Sequence, residues 1–280
     1  MGVNGDYNVV HDDVGDWSRG AIPMARPVRV FPQPGLLTHP MLLDDMPRRV
    51  AWLDLAALLV LMVVVSEVIE RAALMWIDAD AAADPRVIPV LATLFRGAVL
   101  TSVVHLTWRR RGQRAASVGL CARPWWAMGL LGVGGGLLAF LTLFATMGML
   151  YLMDPGVIEA FQDNPEKIAE QIPRWPPVAL LAVCAAVGFY EELIFRGYLL
   201  TRLRRATGSA AVAVILSAVA FSAVHWGQQV PVIVIPLFGI GVVWAVLTLA
   251  TRSVVPAIIG HTLFNGIQFM GLYYAYPDWR

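Results

Sequence analysis

The sequence predicts an all-α protein, a polytopic transmembrane bundle of about seven helices that encloses a buried polar cavity. Of the 280 residues, 58% are hydrophobic and only 15% are charged, and the mean hydropathy is +0.64. An ordinary soluble domain is about 45–50% apolar and about 25% charged. Two further observations support the prediction: a series of apolar runs of membrane-spanning length, and a few ionisable side chains within those runs.

Seven apolar runs have the length that a membrane crossing requires. A bilayer core takes about 20 mostly apolar helical residues. The third run is rich in glycine at 132–136, which suits close helix packing or a flexible segment. The runs cover residues 50–77, 87–108, 125–153, 177–201, 208–227, 230–250 and 254–276.

The chain divides into three parts on this pattern. Residues 1–48 are polar, contain several prolines and glycines and have no apolar stretch fit for a secretory signal, which predicts a mostly irregular tail. Residues 49–124 hold the first two transmembrane helices and a basic loop. Residues 125–280 hold the other helices and the side chains that can carry chemistry. The formal net charge is +1, and we expect no nucleic-acid partner.

The arginines are distributed unevenly between the two sides of the predicted bundle. Seven crossings place the basic loops "TWRRRGQR" and "TRLRRATGS" on the same side as the amino-terminal tail. The opposite loops are acidic, as in "DADAAADP" and "DPGVIEAFQDNPEKIAE". Because cytoplasmic loops carry the excess of Lys and Arg, we expect a cytoplasmic amino terminus and an outer carboxyl terminus in a multi-pass plasma membrane protein.

The stretch "EELIFR" places three ionisable side chains inside the run 177–201. A charge at the bilayer centre costs about 2.5–3.5 kcal/mol on translocon scales, so these side chains must face protein or trapped water. Glu192 and Arg196 are at i, i+4 and can pair along one helical face. Glu191 points about 100° away from Glu192 and is left for another role.

Two later runs supply partners for Glu191. "FSAVHW" places Phe221 and His225 at i, i+4, and "GHTLFNG" places His261 and Asn265 at the same spacing. A carboxylate and a His can hold and deprotonate a water, while a second His and an amide can donate hydrogen bonds to a developing oxyanion. The set therefore suits peptide hydrolysis in a shared polar cavity.

The depth of His225 conflicts with this convergence if every helix is straight. At about 1.5 Å of rise per residue, Glu191 lies near mid-membrane and His261 in the inner half, whereas His225 comes near the outer end of its run. We expect "HWGQQVP" to turn inside the membrane, with Gln228 and Gln229 lining a wet cavity, because irregular backbone is tolerated where it lines water.

The three motifs resemble those of the CPBP intramembrane protease family, which includes CAAX prenyl endopeptidases and bacteriocin-processing or immunity proteins. "EELIFR", "FSAVH" and "HTLFN" match the family's EExxxR, FxxxH and HxxxN or HxxxD motifs in order and in helical setting. The resemblance covers roughly residues 125–276 and is clearest over 177–270. It implies a CAAX-type endopeptidase with its catalytic membrane core in 125–280, and membrane lipid and a membrane-associated or prenylated protein or peptide as partners.

The resemblance also implies roles for individual residues. Glu191 would be the general base that activates a water, helped by His225. His261 and Asn265 would form the oxyanion site. Phe221 belongs to the second motif and would support the site.

The resemblance leaves the catalytic type open between a metal-free glutamate mechanism and a zinc-dependent one. Glu191, His225 and His261 also make a zinc shell with an open position. We expect no cofactor, with zinc as the open alternative. Glu192 and Arg196 would support the site structurally.

Other interpretations fit the same residues. A buried Glu and His set also marks ion paths, so a transporter or proton-coupled carrier is one alternative, and a non-catalytic membrane scaffold is another. The His261–Asn265 pair favours the protease, because a proton path has little use for an amide donor one turn from a histidine. In purely structural terms, the residues would be an ion pair (Glu192 and Arg196), a helix cap (His225), core packing (Phe221) and interhelical hydrogen bonds (His261 and Asn265).

Overall fold

Seven helices account for the apolar runs in the computed structural model, and the predicted helical membrane bundle is confirmed. The structure describes residues 41, 43, 46–79, 86–121, 124–156, 173, 175–226 and 233–275, and no strand occurs among them. The tail predicted for 1–48 lies almost entirely outside the described residues, as do Gln228 and Gln229 and most of both acidic loops. The helices are α1 (Arg48–Ala79), α2 (Val87–Arg110), α3 (Trp125–Met153), α4 (Pro177–Thr207), α5 (Ala210–Ala223), α6 (Val234–Thr251) and α7 (Val255–Ala275).

Five of these helices are long and apolar enough to cross a membrane: α1 over Arg48–Trp76, together with α2, α3, α4 and α6. The helix α5 is apolar but has only 14 residues. The helix α7 has 21 residues, including the polar His261 and Asn265, and is not among the five. The two helices that carry the second and third motifs are thus the least typical membrane spans of the described bundle.

The link between α4 and α5 is short because its sequence ends one helix and starts the next. Gly208 follows α4 with φ +76°, a left-handed conformation that glycine adopts without strain and that commonly ends a helix. Ser209 then caps α5, since its side-chain oxygen accepts a hydrogen bond from the Val212 N–H at 3.3 Å.

The helix α4 is the central element of the bundle. It packs against α1, α2, α5 and α7, and its π-helical stretch Leu193–Leu199 also contacts α6. Half of its most apolar window is buried, against 17% for α1. A helix that faces neighbours on most sides can hold ionisable groups away from lipid, which is where the "EELIFR" motif lies.

The helices α3 and α7 approach closely through glycine. A Cβ placed on Gly132 would lie 2.6 Å from Ile259, and one placed on Gly260 would lie 3.0 Å from the Gly132 carbonyl oxygen. Small residues let membrane helices pack backbone to backbone. The glycine-rich part of the third run therefore serves close packing, the first of its two predicted uses.

A second set of buried charges ties α1 to the end of α4. Asp54 on α1 accepts hydrogen bonds from Arg111, and its other oxygen lies 3.8 Å from Nε of Arg202. Arg202 is fully buried, lies 3.8 Å from the centre of the Tyr198 ring and donates to the Gln113 side chain at 2.7 Å. We refer to Asp54, Arg111 and Arg202 as the Asp54 cluster.

Candidate active site

The second glutamate of the motif is paired and buried. Glu192 is fully buried, and its Oε1 accepts a hydrogen bond from Nη1 of Arg196 at 2.7 Å. Arg196 donates through Nη2 to the Gly241 carbonyl oxygen on α6 at 3.3 Å. The guanidinium also lies 4.2 Å from the centre of the Phe221 ring, a cation–π distance. The structure therefore forms the i, i+4 pair and surrounds its arginine with α5 and α6.

His261 lies between the two glutamates. Its Nδ1 is 2.9 Å from Glu192 Oε1, and its Nε2 is 3.8 Å from Glu191 Oε2. An ionised carboxylate only accepts hydrogen bonds, so Nδ1 carries a proton and donates a hydrogen bond to Glu192. The Trp244 ring stacks on the imidazole at a centroid distance of 4.3 Å and an interplanar angle of 19°. The hydrogen bond and the stack together fix the orientation of the imidazole.

Glu191 has one free carboxylate oxygen. Its Oε1 accepts a hydrogen bond from the Tyr190 hydroxyl at 3.1 Å, while Oε2 has no hydrogen-bond partner in the described part of the chain. The side chain is 13% exposed, in contrast to that of Glu192. A polar contact of 3.8 Å is too long for a direct hydrogen bond and is a distance that a water can bridge. The free oxygen of Glu191 and Nε2 of His261 thus face a common position.

Glu191 and His261 lie at the same depth because the link between α6 and α7 is level with the interior of α4 and not with its end. The Val254 N–H donates to the Gly119 carbonyl oxygen at 3.0 Å. A Cβ on Gly197 would lie 2.8 Å from the Val118 carbonyl oxygen, so this link is level with Gly197. Glu191 and His261 are then both about six residues, or about 9 Å of helix rise, beyond that level.

His225 lies just after the end of α5, about one helical turn farther from the level of Gly197 than Glu191 and His261 are. It is half-buried, and its Nδ1 is 2.8 Å from the Phe221 carbonyl oxygen. The Phe221 ring packs against both imidazoles, with its centre 5.0 Å from that of His225 and 6.0 Å from that of His261. Among the described residues, the structure brings Glu191 and His261 together, while His225 bonds to the carbonyl of its own turn. The turn predicted to hold Gln228 and Gln229 lies outside the described residues.

Asn265 is on α7, one turn after His261, and is half-buried. Its side chain has no hydrogen-bond partner among the residues that the structure describes. Since residues at i, i+4 share a helical face, the amide is placed beside the imidazole with donors to offer.

The predicted zinc ligands are not gathered into one shell. In the described ranges, no group of three or more His, Cys, Asp or Glu side chains is arranged to hold a metal ion. Glu191 and His261 are adjacent, but His225 directs Nδ1 to the carbonyl of its own helix. The donor set in this conformation does not fit a three-ligand zinc site, and no step below is routed through a metal.

Two residues of the site were not predicted from the sequence. Tyr190 precedes the glutamates and holds Glu191, and it fits against α2 because Gly97 has no side chain: a Cβ there would lie 2.4 Å from the tyrosine ring. Trp244 is in an apolar run with no motif around it, and it is buried against His261. The aromatic next to a paired glutamate was a weak signal for Tyr190, while nothing in the local spacing pointed to Trp244.

Two carboxylates, one guanidinium and one imidazole meet at the site. Glu191 and Glu192 supply two negative charges and Arg196 one positive charge. A second arginine, Arg96 on α2, interacts with the Tyr190 hydroxyl that holds Glu191. We refer to Glu191, Glu192, Arg196 and His261 as the Glu191 cluster.

Residues 173–267 match the model of the family described as Type II CAAX prenyl endopeptidase Rce1-like. The matched segment runs from just before α4 into α7 and contains all three motifs. The predicted resemblance to CPBP proteases is confirmed over this segment. No curated protein and no solved structure matches the chain at a significant level.

Proposed function

We propose that this multi-pass membrane protein, which carries an Rce1-like domain of the CAAX protease family at residues 173–267, hydrolyses a peptide bond within the membrane through a water activated by Glu191. The substrate is a membrane-associated or lipidated protein or peptide. One observation carries the proposal: the free oxygen of Glu191 faces Nε2 of His261 at 3.8 Å, inside a bundle of apolar helices. At this separation one water placed beside the two atoms can contact both of them, as a base and a hydrogen-bond donor that act on the same reacting group require.

The reaction needs one proton to pass from the attacking water to the leaving amine by way of Glu191. Glu191 takes a proton from the water as the water oxygen attacks the scissile carbonyl carbon. His261, in its protonated form, donates Nε2–H to the oxyanion that develops on the carbonyl oxygen. The carbon–nitrogen bond then breaks, and the proton held by Glu191 passes to the leaving amine. Two new chain ends result, and Glu191 is ionised again.

Asn265 and His225 assist at the two ends of this position. The Asn265 amide is one turn from His261 on the same face and supplies the second donor to the oxyanion. His225, which follows α5, helps to hold the attacking water. This role requires the His225 imidazole to move closer to Glu191 than its present position against the Phe221 ring.

Glu192, Arg196 and Trp244 position His261. Glu192 accepts the hydrogen bond from Nδ1, which directs Nε2 toward Glu191. Arg196 holds Glu192 in place through a hydrogen bond, and the Trp244 stack prevents the His261 ring from turning. Such supporting contacts hold a catalytic group within the narrow range of positions that reaction geometry allows.

The catalytic type proposed here is the glutamate type without a metal. Its support is the pairing of Glu191 with His261 and the separation of His225 from both. We further propose a plasma membrane location with the amino terminus in the cytoplasm, on the distribution of arginine between the loops. We also propose the three-part division of the chain at residues 48 and 124, on the pattern of apolar runs in the sequence.

The test is hydrolysis by the full chain reconstituted in liposomes, with a prenylated CAAX peptide panel as substrate and mass spectrometry of the products. We expect the Glu191→Gln variant to lower kcat by about 10²–10⁴-fold, the range that general acid–base groups contribute. The matched control is Glu67→Gln, which changes an exposed glutamate that pairs with Arg71 on the surface of α1. It should leave kcat within about twofold of the unchanged protein.

Three outcomes would overturn parts of the proposal. Cleavage that persists in Glu191→Gln at the unmodified rate removes the catalytic glutamate. Loss of cleavage with a metal chelator and recovery with added zinc replaces the metal-free mechanism. A membrane function that survives Glu191→Gln, with no cleavage by either protein, identifies a scaffold, whereas uptake driven by a pH gradient identifies a carrier.

A further inference from the structure

A pocket lined by arginines lies at the end of α4, about 20 Å of helix rise from Glu191. Its volume is about 260 Å³, and its wall comes from the segment before α1, the start of α1, the last turns of α4 and the last turn of α6. We call it the basic pocket. Its described lining residues are Met41, Leu43, Arg48, Thr201, Arg204, Arg205, Gly208 and Leu249.

The basic pocket carries three positive charges among its described lining residues. None of the described residues that line it is acidic. Arg205 donates through Nε to the Met46 carbonyl oxygen, which fixes the guanidinium but leaves its charge. Arg48 reaches over Gly208, where a Cβ would lie 3.0 Å from Nη2. Three guanidinium groups around one concave space repel each other and favour an anion between them.

An apolar groove continues from the basic pocket along the outer surface of α5 and α6. Its volume is about 560 Å³, and its wall includes Ala211, Ile215, Val246 and Leu249. Leu249 lines both spaces, so the basic pocket and the apolar groove adjoin. The two helices that form the groove are apolar on this outer face, which a membrane covers with acyl chains.

We propose that the basic pocket and the apolar groove together bind one anionic phospholipid, with its phosphate among the arginines and an acyl chain in the groove. The order of charged and apolar surface matches a glycerophospholipid from head to tail. Basic pockets between transmembrane helices are known sites for anionic headgroups, and guanidinium groups bind phosphate oxygens in pairs. A free phosphate would use the arginines alone and would leave the groove without a role.

The site is separate from the candidate active site, and the proposal does not rest on the proteolytic function. It joins the beginning of α1 to the end of α4, beside the Asp54 cluster that joins the same two helices. A lipid bound there would hold the first helix against the helix that carries the glutamates.

The experiment measures binding of a fluorescent phosphatidylglycerol to the purified full chain in a neutral detergent. Phosphatidylcholine with the same acyl chains is the reference lipid, and glycerol phosphate is the soluble competitor. The double variant Arg48→Gln/Arg204→Gln changes two exposed arginines of the basic pocket. We expect the Kd for phosphatidylglycerol to rise about 25-fold, about fivefold for each arginine, and the Kd for phosphatidylcholine to stay unchanged.

Matched variants separate the headgroup from the chain. Arg109→Gln/Arg110→Gln removes two exposed arginines that do not line the basic pocket and should change the Kd less than about twofold. Ala211→Phe fills the apolar groove and should weaken phosphatidylglycerol about tenfold, while Ala223→Phe, exposed on the same helix outside the groove, should have no effect.

The proposal fails if both lipids bind alike, or if both arginine double variants weaken binding equally. A second result would also overturn the lipid proposal. If glycerol phosphate displaces the lipid with the same Kd as that of phosphatidylglycerol, and the Ala211→Phe variant binds the lipid as the unchanged protein does, the basic pocket is a site for free phosphate. Unchanged thermal unfolding of each variant in the same detergent confirms that the losses are local.

Discussion

The helix α4 holds two buried charge clusters that differ in the sign of their excess charge. In the Glu191 cluster, two carboxylates face one arginine and a histidine. In the Asp54 cluster, one carboxylate faces two arginines. In the Asp54 cluster the carboxylate faces only guanidinium groups, and an arginine does not release its proton in proteins, so no proton passes between its members. In the Glu191 cluster a carboxylate and an imidazole face each other, which is a pair that can pass a proton.

The two clusters do not differ in how fully their atoms are hydrogen-bonded. In the described ranges, Glu191 and Glu192 each keep one oxygen without a hydrogen-bond partner, and so do Oδ2 of Asp54 and Nε of Arg202. Both clusters therefore hold unsatisfied buried atoms, which are uncommon in proteins. The kinds of group that face each other, and not the number of free atoms, separate the reactive cluster from the structural one.

The largest expected effect comes from removing the arginine of the Glu191 cluster. Arg196→Met leaves Glu192 buried without its cation, and we expect a loss of about 3–5 kcal/mol in the free energy of unfolding. The measurement is chemical unfolding in detergent. The double variant Glu192→Leu/Arg196→Met should recover most of the stability, since an apolar pair often replaces a buried ion pair at little cost. Failure of the double variant to recover would show that the pair stabilises the fold by itself.

A smaller effect is expected from the matching change in the Asp54 cluster. Arg202→Met removes two hydrogen bonds, but Asp54 keeps Arg111, so we expect a loss of about 1–3 kcal/mol. Hydrolysis per folded molecule, counted by size-exclusion chromatography, should stay within about twofold. If this variant lost turnover as Glu191→Gln does, the distinction between a reactive and a structural cluster would be wrong.

The smallest expected effect comes from replacing Trp244, an aromatic residue that contacts the Glu191 cluster and not the Asp54 cluster. Trp244→Phe keeps a ring beside His261 but reduces the stack, and we expect a loss of about 0.5–1.5 kcal/mol in stability. A lower kcat with an unchanged KM is expected, because the imidazole loses its fixed orientation. Trp52→Phe, at a 52% exposed position on α1, is the control and should change neither constant.

The sequence predicted the parts of this site that a single helix encodes. The pair of Glu192 with Arg196 follows from a spacing of four residues, and the same spacing placed Asn265 beside His261. The helical bundle followed from hydropathy alone. In each case the physical cause acts within one run, where rise and rotation per residue are fixed.

What the sequence did not predict depends on contacts between distant segments. The equal depth of Glu191 and His261 comes from the Val254–Gly119 hydrogen bond, which no local pattern announces. The link of Asp54 to Arg111 spans 57 residues. Trp244 reaches His261 from another helix. His225 was expected beside Glu191; in the structure its Nδ1 lies 2.8 Å from the Phe221 carbonyl oxygen, and its part in the site stays a prediction.

The π-helical stretch Leu193–Leu199, which contains Arg196, lies between Glu192 of the Glu191 cluster and Arg202 of the Asp54 cluster. Because a π turn bonds five residues back rather than four, it takes in more residues per turn, and the side chains after it are rotated out of phase with those before it. Deleting one residue there would restore an even winding and swing Arg202 away from α1 while Glu192 stayed in place. The number of residues in this stretch therefore sets the direction of Arg202, as the identity of each residue sets its own contacts. An insertion or deletion would turn Arg202 away from Asp54, and a substitution elsewhere would not turn it back.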